Sequence, residues 1–307
     1  MITKKELESQ MSHLIKEYGE WTYDIPLPYG LWTAKNQGLP HTRLKRIIQI
    51  INDVLSKPIS SCRILDLGCL DGIFSIEFAL QGAHVIGIDA REANIKKALF
   101  AKDALNLNNL EFIQDDVRNI SVSKYGRFEV IICSGILYHL NTPDVFILVE
   151  QMYEMVKHFT IIDTSISIEA AKSVSYKGKK YYGHTWRKHK ESDTEETKLK
   201  RLWRAFGNDI SFRFTRPSLI NCLSHLGFSS VYECFNPPHL NFGKPGIENE
   251  HRCTFLAIKK QECELHTSPM TNHFKEYWPE GSLSYTNKKK EFTPATQWPE
   301  PYVANGF

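Results

Sequence analysis

The sequence lacks the runs and pairs that would place it in several protein classes. No apolar stretch approaches the roughly 20 residues of a membrane span, and Met1-Ile-Thr-Lys-Lys-Glu-Leu-Glu8 has no apolar segment of the signal-peptide kind. A soluble, cytoplasmic chain without a membrane partner is therefore expected. The seven cysteines (62, 69, 133, 222, 234, 253 and 263) form no C-x-x-C pair. Scattered thiols, several in apolar strands, point to reduced cysteines and away from structural zinc. Neither sign of charge dominates, the formal net charge being +3, and no internal repeat is visible. What remains is an ordinary globular composition, long enough at 307 residues for one large domain with elaborations.

Against that background one stretch stands out, Arg63-Ile-Leu-Asp-Leu-Gly-Cys-Leu-Asp-Gly-Ile-Phe-Ser75. The apolar run Ile64, Leu65 and Leu67 suits a buried strand of a covered parallel sheet. Gly68 and Gly72 then allow a tight turn and a close approach of backbone to a ligand before a helix begins. Seventeen residues after Gly72, a second strand, His84-Val-Ile-Gly-Ile-Asp89, ends in a carboxylate. An acid at that position is placed to accept hydrogen bonds from ribose hydroxyls. The turn is not the dinucleotide fingerprint, because Leu70 and Ile73 stand where glycines are needed, and no Gly-Lys-Ser/Thr follows to make a P-loop.

Asp66, Gly68, Gly72 and Asp89 resemble motif I and the ribose acid of the class I S-adenosylmethionine-dependent methyltransferases. The usual middle glycine is replaced by Leu70, a departure shared with the branch that modifies the wobble uridine of tRNA. The resemblance covers about residues 20 to 260. It implies an α/β, Rossmann-like doubly wound sheet of seven strands with the last strand antiparallel, and S-adenosylmethionine as cofactor.

Element patterning agrees with a βαβ rhythm. Helices are predicted near Ile73 to Gln81, Ala93 to Leu105 and Thr142 to Lys157, the last capped by Asn141 or Thr142 with Pro143 in its first turn. Strands are predicted near Arg63 to Leu67, Ala83 to Asp89, Leu110 to Gln114, Phe128 to Ser134 and Phe159 to Thr164. Residues 166–214 read as a polar, basic insertion without a strong strand signal, expected to serve substrate recognition. A helix starting at Thr215-Arg-Pro-Ser-Leu and strands near Ser230 to Phe235 and Arg252 to Lys259 complete a domain over 61–260. Residues 1–60 form a helical extension, with helices over Lys4 to Tyr18 and His41 to Leu55. The tail 261–307 carries eight aromatics, more than a solvated tail usually holds, so part of it is expected to pack on the domain or on a partner.

The resemblance also assigns roles. Gly68, Gly72 and the helix N-terminus after them would approach the donor, its carboxylate included. Asp66 belongs to the same motif, and Asp89 would hold the ribose. Asp116, with Val117 beside it, would meet the adenine, although adjacent Asp115 is an alternative contact. Ile131-Ile-Cys-Ser-Gly-Ile-Leu-Tyr-His-Leu140 resembles the segment between donor and acceptor. There Ser134 would pass the methionine portion and Tyr138 would face the sulfonium. His139 is a candidate base, because an imidazole titrates near neutrality, or else a residue that caps the loop or orients substrate.

The acceptor side is read more from composition. Between Lys172 and Arg204 there are eleven Lys or Arg against four Asp or Glu, interleaved with Tyr182, His184, Trp186 and Arg187. Such a patch can hold an anion and stack on a planar acceptor, or it can be a solvated basic surface. The resemblance to the wobble-uridine branch and its relatives, which have comparable elements flanking the pocket, adds Arg43 and Arg216 as candidates, with a helix-surface arginine as the alternative. Trp21 and Tyr29 form either a lid or packing. His184 and His189 have no recognised metal spacing, so no metal is expected. The expected activity is methyl transfer to a small-molecule acceptor, at a hydroxyl or carboxylate oxygen, in biosynthetic tailoring. The alternatives are a tRNA wobble-uridine methyltransferase, hence a nucleic-acid partner, and a non-catalytic S-adenosylmethionine sensor or scaffold. A homodimer is compatible with each.

Overall fold

The computed structural model describes residues 3–34, 42–201, 204–235 and 251–259. The C-terminal tail and its aromatics lie outside the described residues. Seven strands form the central sheet: β1 (Arg63–Leu67), β2 (His84–Asp89), β3 (Leu110–Gln114), β4 (Phe128–Ser134), β5 (Val156–Ser165), β9 (Phe228–Cys234) and β10 (Arg252–Lys259). Their order is β3-β2-β1-β4-β5-β10-β9, with β10 antiparallel to both neighbours and β1 to β5 parallel. The chain order reverses between β1 and β4, so the crevice beyond their carboxyl ends is where such a sheet receives a ligand.

Period-2 alternation buries both faces of the sheet. Ile64, Val130, Ile132, Phe159 and Ile161 point into one apolar cluster, while Leu65, Leu67, Ile131, Cys133 and Ile162 point into the other. The first cluster is closed by α3 (Ile73–Leu80), α4 (Glu92–Ala104) and residues of the N-terminal extension. In that extension α1 (Lys4–Tyr18) begins with a reciprocal capping box between Thr3 and Glu6, and α2 (Thr42–Val54) contributes Leu44, Ile47, Ile50 and Ile51. The second cluster lies under α5 (Val122–Tyr125), α6 (Asp144–Met155) and α8 (Arg216–His225). Helix α6 is capped differently from the expectation: Pro143 itself occupies the N-cap and no side chain caps the helix.

The insertion departs most from the sequence reading. It contains β6 (Lys172–Tyr176), β7 (Lys179–Arg187) and β8 (Ile210–Phe214), joined as a three-stranded antiparallel sheet, and α7 (Glu195–Lys200) between the last two strands. Lys177 and Gly178 have φ of 47° and 73° and connect β6 to β7, the two-residue hairpin geometry that a Lys-Gly pair between alternating residues can support. The outward positions mix Ser173, Ser175 and Lys180 with Tyr182, His184 and Trp186, which hid the alternation. The inward ones are Tyr181, Phe212 and Phe214, which pack with Tyr176 around Phe146 of α6 at ring separations of 4.8 to 6.3 Å. Arg91, just after β2, ties the insertion to the sheet by donating to the carbonyls of Arg201 and Arg204 at 3.2 and 3.1 Å.

Candidate active site

A cleft of about 290 Å³ opens beyond the carboxyl ends of β1, β2 and β4. Gly68, Leu70, Asp89, Asp116, Val117, Ser134, Tyr138 and His139 line it, together with Tyr23 and five arginines, Arg43, Arg91, Arg204, Arg213 and Arg252.

One half is built from backbone and short acids. Gly68 has φ 68°, and a Cβ there would fall 2.1 Å from the Ile136 side chain, so the turn tolerates no larger residue. Leu70 also has positive φ, 51°, a conformation that costs an L-residue about 1–2 kcal/mol. That conformation aims the Leu70 N–H at Asp89 Oδ2, 3.1 Å away. Asp89 Oδ1 accepts from the Arg91 N–H at 2.9 Å and from Asn94 Nδ2 at 3.0 Å. Burial raises the Asp89 carboxyl's pKa, against the pull of these donors. Asp89 Oδ2 accepts the Leu70 N–H and, with further lone-pair sites, keeps acceptor capacity toward the cleft.

Asp116 lines the same half and caps a 3-10 turn. Its carboxylate accepts from the Arg118 backbone and Nε, each at 2.9 Å, and from Nη2. Asp115 is turned away, bound by Lys124 and Tyr125, and does not line the cleft. Ser134 Oγ is buried and without a hydrogen-bond partner among the described residues, which normally costs about 1–3 kcal/mol unless a ligand supplies one.

Two motif residues sit behind the cleft and do not line it. Asp66 is buried and takes the Ser75 hydroxyl at 2.7 Å, so its own carboxylate stands at the start of α3 where the sequence suggested a ligand's carboxylate. Burial pushes its pKa up to about 7. Gly72 faces away as well: a Cβ there would lie 2.5 Å from the Phe112 ring. Its glycine is required by helix packing and by φ 92°. Asp71, a residue the sequence reading passed over, accepts from the Thr22 and Tyr23 N–H groups and so ties the N-terminal segment to the turn. Lys97, fully buried, grips the same segment through the Glu20 carbonyl at 2.9 Å. Trp21 is a core residue against Phe100, with centroids 5.6 Å apart, and Tyr29 is exposed, so Tyr23 is the aromatic of this segment that reaches the cleft.

The other half is cationic. Arg252, from β10, holds the buried Asp163 at the end of β5 through Nε at 2.6 Å and donates from Nη1 to the Tyr138 hydroxyl at 3.2 Å. Arg43 Nε lies 3.4 Å from the same carboxylate. Burial works to raise the Asp163 pKa, but Arg252 and Arg43 outweigh it and hold the carboxyl below its usual range. His139 Nδ1 is buried without a hydrogen-bond partner among the described residues. Burial, then Lys188, Arg252, Arg213 and Arg91, lower its pKa well below the usual imidazole value, so the ring is neutral at pH 7.

The remaining sequence candidates on the acceptor side do not line the cleft. Tyr182 and Trp186 are exposed, His184 is 3.4 Å from Glu169, and Arg187 pairs with Glu191 at 3.0 Å. Arg216 pairs with Glu233 at 2.7 Å. The insertion reaches the cleft through Arg204, Ala205, Phe206 and Arg213 instead. These were hard to single out because a strand's face and a loop's direction decide them, and residue type does not. Among the described residues no cluster of three or more His, Cys, Asp or Glu is gathered for a metal, and no helix is long and apolar enough to cross a membrane.

Residues 59–207 match the family profile described as a methyltransferase domain. The ubiquinone biosynthesis O-methyltransferases of Rickettsia akari and Rickettsia prowazekii are 32% and 33% identical over 117 and 110 residues, 38% and 35% of this chain. The matched regions span 43% and 41% of those relatives' length. Among solved structures, the N-terminal domain of EvdMO1 with S-adenosylhomocysteine bound superposes with a TM-score of 0.63 at 20% identity, covering 85% of this chain and 98% of that one. At that identity the likeness is one of fold.

Proposed function

We propose that the chain is a class I S-adenosylmethionine-dependent methyltransferase that moves the donor's methyl group onto an oxygen of a small molecule in biosynthetic tailoring, a reading supported by the methyltransferase-domain match and the fold. The observation that carries this reading is a single cleft lined at one end by Gly68, Asp89, Asp116 and Ser134, and at the other by Tyr138, His139 and arginines. In this reading Asp89 receives the ribose, Asp116 and Val117 the adenine, and Ser134 the methionine portion.

The transfer breaks the sulfonium S–CH3 bond, whose electron pair stays on sulfur, and forms an O–CH3 bond in line with it. Little covalent assistance is needed; alignment and exclusion of water supply most of the rate. In this reading Tyr138 faces the transfer point, and His139 is made a weaker base than the sequence suggested by burial and the surrounding cations. Its Nδ1 accepts the O–H of a hydroxyl acceptor and takes the proton only as the methylated oxygen turns positive. A carboxylate acceptor would ask for none. The O-methyltransferase relatives support oxygen as the accepting atom.

The basic insertion gives less support to a nucleic-acid acceptor than its composition suggests. Lys177, Arg187, Lys198, Lys200 and Arg201 are each ion-paired with a neighbouring carboxylate. Calorimetry with S-adenosylhomocysteine, followed by mass-spectrometric detection of methyl transfer to small hydroxy and carboxylic acids or to total tRNA, tests the reading. Absence of donor binding would sink it, and methylation of tRNA alone would replace it with the nucleic-acid alternative.

A further inference from the structure

Positive charge converges on Tyr138 from three separate elements. Lys188 Nζ lies 4.9 Å from the ring centroid, the Arg252 guanidinium 5.3 Å and the Arg213 guanidinium 5.4 Å. They come from the segment after β7, from β10 and from β8. Arg43 joins them at Asp163, the carboxylate it shares with Arg252. Asp163 is fully buried and lies beneath the lining, so it balances part of this charge from behind. After burial, the same Lys188, Arg252 and Arg213 disfavour a proton on His139. Cations gathered in a half-closed space repel one another, and a sulfonium donor would bring another positive charge beside them. A partner arriving with negative charge offsets both.

We propose that the acceptor is a small molecule carrying an ionised oxygen acid, a carboxylate or a phosphate, received by Arg213 beside Tyr138, with Arg252, whose donors are held by Asp163 and the Tyr138 hydroxyl, adding its charge. The assignment rests on the methyl-donor reading above. A guanidinium presents planar N–H donors matched to two oxygens of such an anion, and hydrogen bonds of this kind are stronger than neutral ones. Arg213 also lies 4.3 Å from the Trp186 ring, so its position is braced from the solvent side. The insertion thereby contributes to recognition through β8, whereas Lys177, Lys198 and Lys200 are ion-paired with neighbouring carboxylates.

The test uses the full chain saturated with S-adenosylhomocysteine, whose own binding is measured first. Benzoate, phenyl phosphate and neutral benzamide are then titrated by calorimetry. One of the anions is expected to bind at least about ten-fold more tightly than benzamide. Arg213→Gln should remove that preference and Arg213→Lys should keep part of it, with S-adenosylhomocysteine affinity within about three-fold of the parent. Arg252→Gln should act in the same direction, and Arg213→Gln keeps the test decisive if loss of the Asp163 partner prevents folding. Equal binding of benzamide, or no anion binding to about 10 mM, overturns the proposal. So does a ten-fold loss of S-adenosylhomocysteine affinity in Arg213→Gln, which would mean that the cations serve the donor's own carboxylate. Failure of S-adenosylhomocysteine to bind strikes the donor reading and takes the acceptor with it; donor binding without anion preference strikes the acceptor proposal alone.

Discussion

Asp66 and Asp163 stand at the carboxyl ends of β1 and β5, both buried, and their surroundings push them in opposite directions. Asp66 meets the Ser75 hydroxyl, and burial dominates, raising its pKa to about 7. Asp163 meets Arg252, Arg43 and the Thr254 hydroxyl, and the two cations dominate, lowering it. The same contrast separates the two halves of the cleft. The donor half holds Asp66 and Asp89 with N–H and O–H dipoles, Asp116 alone being paired with an arginine, and needs fixed backbone geometry. The acceptor half holds its acid with full charges and needs long side chains gathered from elements far apart in sequence, α2, β5, β8 and β10.

The sharpest way to break the comparison is to neutralise each acid. Asp163→Asn leaves Arg252 and Arg43 facing a neutral amide, and unpairing a buried charge costs about 3–5 kcal/mol. A matching fall in urea-unfolding free energy is expected, while Asp66→Asn at pH 7 should change stability far less. Similar losses in both variants would erase the distinction between the halves.

Donor affinity separates them next. Asp89→Ala removes an acceptor held by Leu70, Arg91 and Asn94 toward the cleft, and S-adenosylhomocysteine binding should weaken by about ten- to a hundred-fold, from the loss of charge-assisted bonds of roughly 1.5–3 kcal/mol. Calorimetry reads this directly, and an unchanged dissociation constant would remove the ribose assignment. His139→Ala, on the other side of the cleft, should leave that constant nearly unmoved.

The pH dependence has opposite signs for the two acids. Asp66 in the folded chain keeps its proton up to about pH 7, whereas unfolded it loses the proton near pH 4. Its contribution to stability is therefore present below about pH 4 and is lost as pH rises through 7, at up to roughly 1.4 kcal/mol per pH unit. Asp71, raised to about 6 by burial, adds to the same trend. Asp163, lowered, contributes above its unfolded value and loses that contribution as pH falls. Urea titrations between pH 4 and 8 should show a slope that Asp66→Asn reduces; an unaltered slope would mean that Asp66 is ionised in the fold.

The two halves also differ in how far the sequence reveals them. The donor half lies within a few consecutive segments, so Gly68 and Asp89 can be picked out by spacing at strand ends and Asp116 and Ser134 by the methyltransferase resemblance of their segments, and all four line the cleft. The seven-stranded order, with β10 antiparallel, follows from the same resemblance. Asp66 and Gly72 belong to the same motif, but burial and the Phe112 ring give them structural work behind it. The acceptor half is assembled by tertiary packing. The strands of the insertion were hidden because their outer face mixes serine and lysine with Tyr182, His184 and Trp186, so polar and apolar residues do not alternate cleanly. Arg213 and Arg252 were missed because nothing local distinguishes them from Arg187 or Arg216, and only the register of β8 and β10 brings them to Tyr138.

Leu70 lies where these considerations meet, and Leu70→Gly should give the smallest effect. The left-handed φ of 51° costs a leucine about 1–2 kcal/mol, and a glycine relieves that strain while adding about 0.5–1 kcal/mol of chain entropy to be lost on folding. The net change expected is between zero and about 1.5 kcal/mol of added stability, with the Leu70 N–H bond to Asp89 retained because it belongs to the backbone. Thermal unfolding with and without S-adenosylhomocysteine resolves both terms. If the variant is instead destabilised by more than about 1 kcal/mol, the side chain's packing outweighs the strain of the turn. If stability holds but donor affinity falls more than about ten-fold, Leu70 is a wall of the donor site, and the donor half then depends on a side chain as the acceptor half does.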